Sequence, residues 1–314
     1  MVICCSTVYA LESKPGTDAF PSTLQMLQQK KWIHGSADCD ADADPAIEVF
    51  RYEPSTYILR QSKCLNFEAP FIYVLFGLAK VLVLDTGATE NAAEFPLYET
   101  IQSLSNEQPA APGQNVRELL VLHSHSHSDH YSGDTQFAEQ PNVTLIAPND
   151  GAVAEFFAFA DSPDGETIID LGARKITVFA VPGHQEEAIA VYDSQTSWLL
   201  TGDTFYPGYI YVKHWNDYQH SIARLVAFSE KHEVSALLGA HIEMTDRPGE
   251  DYPIGTVHQP DEASLVLSAG ELIMLNSAIA NSDEQTELRF DQFIVAPMNW
   301  LQKLLSNIAR WLVQ

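Results

Sequence analysis

Short apolar runs separated by turn residues recur along this chain from Ile47 onward, and such runs predict strands. Residues 48–52, 56–59 and 71–76 mix β-branched and aromatic side chains, as strands do. The runs at 81–84 and 117–122 are apolar almost throughout, the pattern of a strand covered on both faces. The second half repeats the style at 143–146, 175–180, 188–192, 198–200 and 236–238. Helices are expected over 92–104, 150–159 and 221–231, with a Pro-rich loop at 107–115. Strands mixed with helices, and no strong linker between 46 and 280, predict one layered α/β sandwich with helices outside. Residues 1–45 read as a polar, solvated lead-in, and 281–314 as a C-terminal extension. There Leu301, Leu304, Leu305, Ile308, Trp311 and Leu312 share one helical face. With only Lys303 and Arg310 basic in that segment, packing on its own domain or in a homodimer is expected ahead of membrane binding.

Composition narrows the partners. Seventeen Lys and Arg against 42 Asp and Glu give a net charge of −25 in 314 residues. That field repels phosphate backbones, so nucleic acid is not expected as a partner. No stretch approaches the roughly 20 apolar residues of a membrane span. Val8-Tyr9-Ala10 has the small-residue spacing of a signal-peptidase site, but the apolar run before it is too short for a signal peptide. A cytosolic start and the tail of a truncated leader at 1–10 therefore stay open, and with them cytoplasmic or secreted localisation. Cys39 and Cys64 form an even pair compatible with a disulfide, and neither lies in a C-x-x-C pattern.

The chemistry concentrates where the run at 117–122 ends. His125 and His127 stand two apart, so on extended backbone their imidazoles share one side and can grip one metal ion. Asp129 and His130 follow as the chain turns and can reach a second ion. Imidazole with carboxylate favours zinc, with iron or manganese as alternatives, over calcium or magnesium. His123 stands outside this spacing and reads as a neighbour of the cluster.

His-x-His-x-Asp-His after an apolar strand resembles the metallo-β-lactamase superfamily. The likeness extends from about Ile47 to about Ala280 and implies a four-layer αβ/βα sandwich of two mixed sheets flanked by helices. Leu84-Asp85-Thr86-Gly87 resembles its first motif, which implies that Asp85 supports the site without binding metal. Val181-Pro182-Gly183-His184, Thr201-Gly202-Asp203-Thr204 and Gly239-Ala240-His241 resemble later motifs. They imply a ligand set of His125, His127 and His184 on one zinc and Asp129, His130 and His241 on the other, with Asp203 between them. The family chemistry so implied is hydrolysis by a hydroxide bridging two metals about 3.5–4 Å apart, with Asp129 as proton acceptor.

Branch differences refine the expectation. His127 stands where the flavodiiron branch has Glu, and Asp203 where antibiotic-hydrolysing members lack a bridging carboxylate. Residues 281–314 hold only Arg289, Lys303 and Arg310 as basic groups, which gives a glutathione thioester little support. What remains is a small ester, lactone, thioester or amide, with β-lactam hydrolysis or an iron-dependent oxygenase as alternatives and a non-catalytic metal protein last. The aromatic segment 205–218 after Asp203 suggests pocket walls for a small molecule, with Tyr206, Tyr209 and Lys213 as candidates. His258, in the loop after His241, is a further candidate.

Overall fold

The first helix of the computed structural model, which describes residues 22–108, 116–159, 165–282 and 286–311, begins at a cap. The Ser22 hydroxyl accepts from the Gln25 amide, and the Gln25 side chain returns to the Ser22 amide, starting α1 (Thr23–Gln28). Leu27 and Trp32 are buried in the main core, so part of the predicted lead-in is packed, whereas residues 37–41 and 43–45, in and around the Asp-Ala repeat, are exposed. The Asp-Ala repeat carries Cys39, which is disulfide-bonded to Cys64. The leader reading of 1–10, together with residues 11–21, 109–115 and Leu312, lies outside the described residues.

The first sheet has six strands in chain order: β1 (Ile47–Glu53), β2 (Thr56–Gln61), β3 (Phe71–Phe76), β4 (Lys80–Leu84), β5 (Glu118–Leu122) and β6 (Val143–Leu145). β1 to β4 pair antiparallel, and β4, β5 and β6 pair parallel. The connection from β4 to β5 carries α2 (Leu97–Asn106). The predicted helix over 92–104 starts late because Pro96 stands at its N-terminal cap, and a residue preceding proline is pushed out of helical geometry. α3 (Ser128–Tyr131) follows β5, and α4 (Asp150–Phe157) follows β6 with Asn149 as its cap.

The second sheet begins with β7 (Glu166–Asp170), β8 (Lys175–Ala180), β9 (Ile189–Asp193) and β10 (Trp198–Gly202), which pair antiparallel in that order. β11 (Tyr209–Val212) leaves for a small third sheet, and α5 (Trp215–Ser229) leads back to β12 (Ala236–Gly239), which pairs parallel with β10. β13 (Val266–Leu267) closes that edge, followed by α6 (Ala269–Ile279). β14 (Leu288–Arg289) and β15 (Ile294–Pro297) complete the third sheet with β11, and α7 (Trp300–Trp311) ends the described chain.

The side-chain period of two makes the layers. Ile58, Tyr73, Leu75, Leu82, Leu84 and Leu120 point inward against Val178, Val191, Trp198 and Leu200 of the second sheet. Their neighbours Leu59, Val74, Val81, Val83 and Val121 face outward onto Leu97 and Ile101 of α2. On the far side Phe179, Ala190, Leu199 and Leu237 pack under Ile222 and Leu225 of α5 and Leu272 and Leu275 of α6. The result is the expected helix–sheet–sheet–helix sandwich. At one end Arg174 ties the sheets together: its guanidinium donates to both oxygens of Asp193, to the Ser55 and Phe76 carbonyls and to the Thr56 hydroxyl.

Candidate metal centre

At the other end, five strands stop along one edge and each hands over a polar residue. Asp85 follows β4, His125 to His130 follow β5, His184 follows β8, Asp203 follows β10 and His241 follows β12. β8 and β10 run the same way, since each is antiparallel to β9, so these loops all open on one side. Backbone bonds between the halves hold the edge closed. The Phe71 amide donates to the Ala240 carbonyl at 2.7 Å, and the Ile189 amide to the Ser124 carbonyl at 2.8 Å.

The structure brings all seven sequence-predicted ligands together in two groups. His125, His127, His184 and Asp203 form one; Asp129, His130 and His241 form the other, with the ligand atoms of each group within 4.8 Å of one another. Asp203 reaches both: Oδ2 lies 3.7 Å from His125 Nε2, 3.8 Å from His184 Nε2 and 3.6 Å from His130 Nε2, while Oδ1 lies 3.5 Å from His241 Nε2. Asp129 Oδ2 sits 3.2 Å from the Nε2 atoms of both His130 and His241.

Each imidazole is aimed by what its other nitrogen touches. His184 Nδ1 donates to the Tyr211 carbonyl at 2.7 Å, and His241 Nδ1 to the Glu68 carbonyl at 2.9 Å. His130 Nδ1 donates to Asp85 Oδ2 at 2.9 Å, while Asp85 also accepts from the Ser124 amide and hydroxyl. His125 Nδ1 lies 3.2 Å from the Ser124 hydroxyl. These contacts leave Nε2 of four rings facing the centre. His127 is reversed: its Nδ1 meets His184 Nε2 at 3.2 Å, and its Nε2 lies 2.6 Å from the Gln185 side-chain amide.

The electrostatics divide along the same lines. Burial, reinforced by the neighbouring imidazoles, holds His125 well below the ordinary imidazole range. Burial and His184 bring His127 down to about 3, and burial lowers His184. These three rings are therefore neutral, the form that ligates metal. For His241 burial is outweighed by Asp203 and Asp129, which raise it to about 9. His130 is raised well above the usual range against its burial by Asp129, Asp85 and Asp203. Asp129 and Asp203, despite burial, are held well below the ordinary carboxylate range by the imidazoles around them.

A divalent cation fits this donor set. Buried polar atoms normally find a partner, since a bare one costs on the order of 1–3 kcal/mol. Yet His125 Nε2 and Asp203 Oδ1 are buried without a hydrogen-bond partner.

The remaining candidates fall elsewhere. His123 has both ring nitrogens engaged, with the Ile146 carbonyl and with Asp134, away from the two groups. The aromatic segment after Asp203 is largely core: Phe205, Tyr206, Trp215 and Tyr218 are buried, and β11 runs through it. The Tyr206 ring lies 5.8 Å from that of His241, with its hydroxyl donating to the Tyr209 carbonyl and meeting Glu243. The Tyr209 hydroxyl donates to Glu287 at the surface. Lys213 is buried in an ion pair with Glu186 at 2.9 Å, so its charge is spent inside the protein rather than offered to a substrate carboxylate. His258 is exposed and stacks on His34. Three site residues escape the sequence reading: Gln185 beside His127, Glu187, whose carboxylate accepts from the Ser126 amide at 3.0 Å, and Glu68. Gln185 and Glu187 directly follow His184, so the only available signal was polar residues next to a ligand.

Comparison with known proteins bears on this arrangement. The family described as the metallo-beta-lactamase superfamily matches residues 65–238. The acyl-coenzyme A thioesterase MBLAC2 of Bos taurus is 27% identical over 203 residues, covering 54% of this chain and 72% of that protein. A hydroxyacylglutathione hydrolase of Prochlorococcus marinus is 33% identical over 96 residues, 30% of this chain and 39% of that protein. Among solved structures, a metallo-beta-lactamase from Pontibacter korlensis aligns with a TM-score of 0.48 at 14% identity, covering 75% of this chain and all (100%) of that one.

Proposed function

Because the chain belongs to the metallo-β-lactamase superfamily, we propose that it is a metal-dependent hydrolase that holds two zinc ions and cleaves a small acyl thioester or ester. The observation that carries the two-ion reading is Asp203, whose carboxylate reaches both histidine groups, with Oδ2 3.6–3.8 Å from His125, His184 and His130 and Oδ1 3.5 Å from His241. His125, His127 and His184 would hold one ion and Asp129, His130 and His241 the other, with Asp203 shared. Ions in that position supply an acidified water and polarise the substrate carbonyl.

The protein's own residues do the rest. Asp129 is the most open of the second group, its side chain 17% exposed against 0% for His130 and 4% for His241. It is therefore placed to take a proton from the attacking water and pass it to the leaving sulfur or oxygen as the acyl bond breaks. His130 and His241 hold the Asp129 carboxylate in register, and the Asp85 carboxylate and Glu68 carbonyl fix those two rings. Thioester cleavage is supported by the names of the relatives, both of which act on thioesters. A glutathione substrate is not favoured, because Arg289 is already paired with Glu287 and Asp251. The net charge of −25 favours an acyl group of little negative charge. The Cys39–Cys64 disulfide supports an oxidising compartment.

Two measurements test this. Elemental analysis of the purified protein should find close to two zinc per chain. Hydrolysis of a panel of thioesters, esters, lactones and β-lactams should be detectable and should fall at least a hundredfold in Asp203→Ala with folding intact. One iron and no zinc per chain, or activity indifferent to Asp203, would sink the proposal.

A further inference from the structure

α7 (Trp300–Trp311) is turned inside out relative to an ordinary surface helix. Its apolar residues Trp300, Leu301, Leu304, Leu305 and Ile308 are all exposed, from 47% to 76%. At about 100° per residue these five span roughly 140° of the helix surface, and Ser306 falls about 170° from their centre. Ser306 is the residue that faces the protein: its hydroxyl lies 2.9 Å from the amide nitrogen of Gln185, which is 2.6 Å from His127. The helix thus sits with its polar side on the rim of the metal centre and its apolar side to the outside. Packing on its own domain, which the sequence offered beside a homodimer for this face, is not found at Leu301, Leu304, Leu305 and Ile308.

No described residue covers this face, and its dimensions and charges point to what does. A helix of 12 residues is about 18 Å long and 10 Å across, a patch of roughly 200 Å². A stable protein dimer buries about 800 Å² per partner, so a second copy gains too little from this face. Two copies would also bring together chains of net charge −25 each. The segment itself has no acidic residue and contains Lys303 and Arg310, so it forms an apolar, locally uncharged-to-basic island on an acidic protein. An amphipathic helix with Trp at one end and Leu and Ile along its face is suited to lie in the plane of a lipid interface. The acidic body opposes an anionic surface, which leaves a zwitterionic one.

We propose that α7 docks this protein on zwitterionic lipid surfaces and holds the mouth of the metal centre against them, so that the substrate is an amphiphile whose acyl chain starts in the lipid. The docking stands on the helix alone; the identity of the substrate rests on the hydrolase reading above. The test uses the full chain, loaded with zinc, and the double variant Leu304→Glu/Leu305→Glu. Wild type should float with phosphatidylcholine vesicles, and the double variant should bind at least tenfold more weakly with unchanged thermal midpoint and zinc content. Hydrolysis of a long-chain acyl thioester presented in those vesicles should fall at least fivefold in the variant, while hydrolysis of a soluble short-chain thioester stays within twofold. Wild type that stays unbound, or a variant that binds equally well, overturns docking. A wild type that is dimeric by light scattering and a variant that is monomeric overturns it in favour of a second copy. Vesicle binding without any thioesterase activity would instead refute the hydrolase reading and leave docking standing.

Discussion

Replacing Asp85 by Asn exchanges a carboxylate oxygen for an NH₂ group at the back of the candidate metal centre and should weaken half of it. Asp85 is buried, accepts from the Ser124 amide at 2.6 Å through Oδ1, and from the Ser124 hydroxyl and His130 Nδ1 at 3.0 and 2.9 Å through Oδ2. Its backbone is left-handed at φ +70°, a conformation Asn also tolerates, so the substitution keeps shape and turn. Asn can keep the Ser124 amide bond through its oxygen, but its NH₂ then faces His130 Nδ1. His130 avoids two opposed donors by accepting there, which moves its proton to Nε2, the nitrogen aimed at Asp129 and Asp203. That tautomer has no lone pair for a metal. Loss of such an outer partner weakens a metal site by about 10–100-fold, or about 1.4–2.7 kcal/mol. Zinc titration of the metal-free protein against a chromophoric chelator reads each site in turn. The expected result is one site weakened by that factor and the other, built on His125, His127 and His184, changed less than threefold. Equal loss at both sites, or none at either, would refute the argument that Asp85 acts by setting the His130 tautomer.

Three further outcomes follow from the surrounding structure. Arg174→Ala removes the partner of a fully buried carboxylate, Asp193, whose proton affinity burial raises and the guanidinium lowers further. Unfolding in urea should show a loss of about 3–5 kcal/mol, and a loss under 1 kcal/mol would contradict the pairing. Gly239→Ala would place a Cβ 2.1 Å from that of Tyr206, beside His241, so stability should fall by about 1–3 kcal/mol and zinc affinity with it. Lys63 is brought down from 10.5 to about 8, chiefly by burial and secondly by Arg60. Between those two values the unfolded chain holds more protons than the folded one, so stability attributable to Lys63 rises with pH across that window. Lys63→Met should therefore stabilise by up to about 3 kcal/mol at pH 7, with the gain shrinking toward pH 10.5, as denaturation midpoints at both pH values would show.

The strands were legible where burial leaves a continuous apolar run, as at β4 and β5, because there no alternative period competes. Elements with mixed signals were not. β7 alternates exposed and half-buried residues around Thr167 and Ile169, and β11 hides within an aromatic stretch that reads equally well as pocket or core. The same ambiguity let a largely buried segment read as a pocket wall. Side-chain type says that Phe205 and Tyr218 want burial, but only the packing of α5 on the second sheet says that the core takes them. The candidate ligands were legible as a cluster because metal binding calls for particular atoms at fixed spacing, whereas the groups that aim them are often backbone carbonyls, at Glu68 and Tyr211, which no sequence pattern marks.

The placement of the ligands also explains why the site and the fold depend on one another. His125 to His130 hang from the first sheet, while His184, Asp203 and His241 hang from the second. At the opposite end the sheets are joined by Arg174, which is paired with Asp193 of its own sheet and donates three hydrogen bonds across the gap, to the Ser55 and Phe76 carbonyls and the Thr56 hydroxyl. At the ligand end the sheets bring together two carboxylates and five imidazoles whose demands conflict: three rings are driven neutral by burial and two are driven cationic by Asp129, Asp203 and Asp85. Protons can satisfy the carboxylates but only by putting like charges on His130 and His241, which approach to 3.3 Å. Metal ions satisfy the carboxylates and the neutral nitrogens at once, because both are ligands. The edge of this sandwich therefore presents a donor set that cations would satisfy without any change in its strands. Added zinc should raise the thermal midpoint of the metal-free protein in proportion to the logarithm of its concentration.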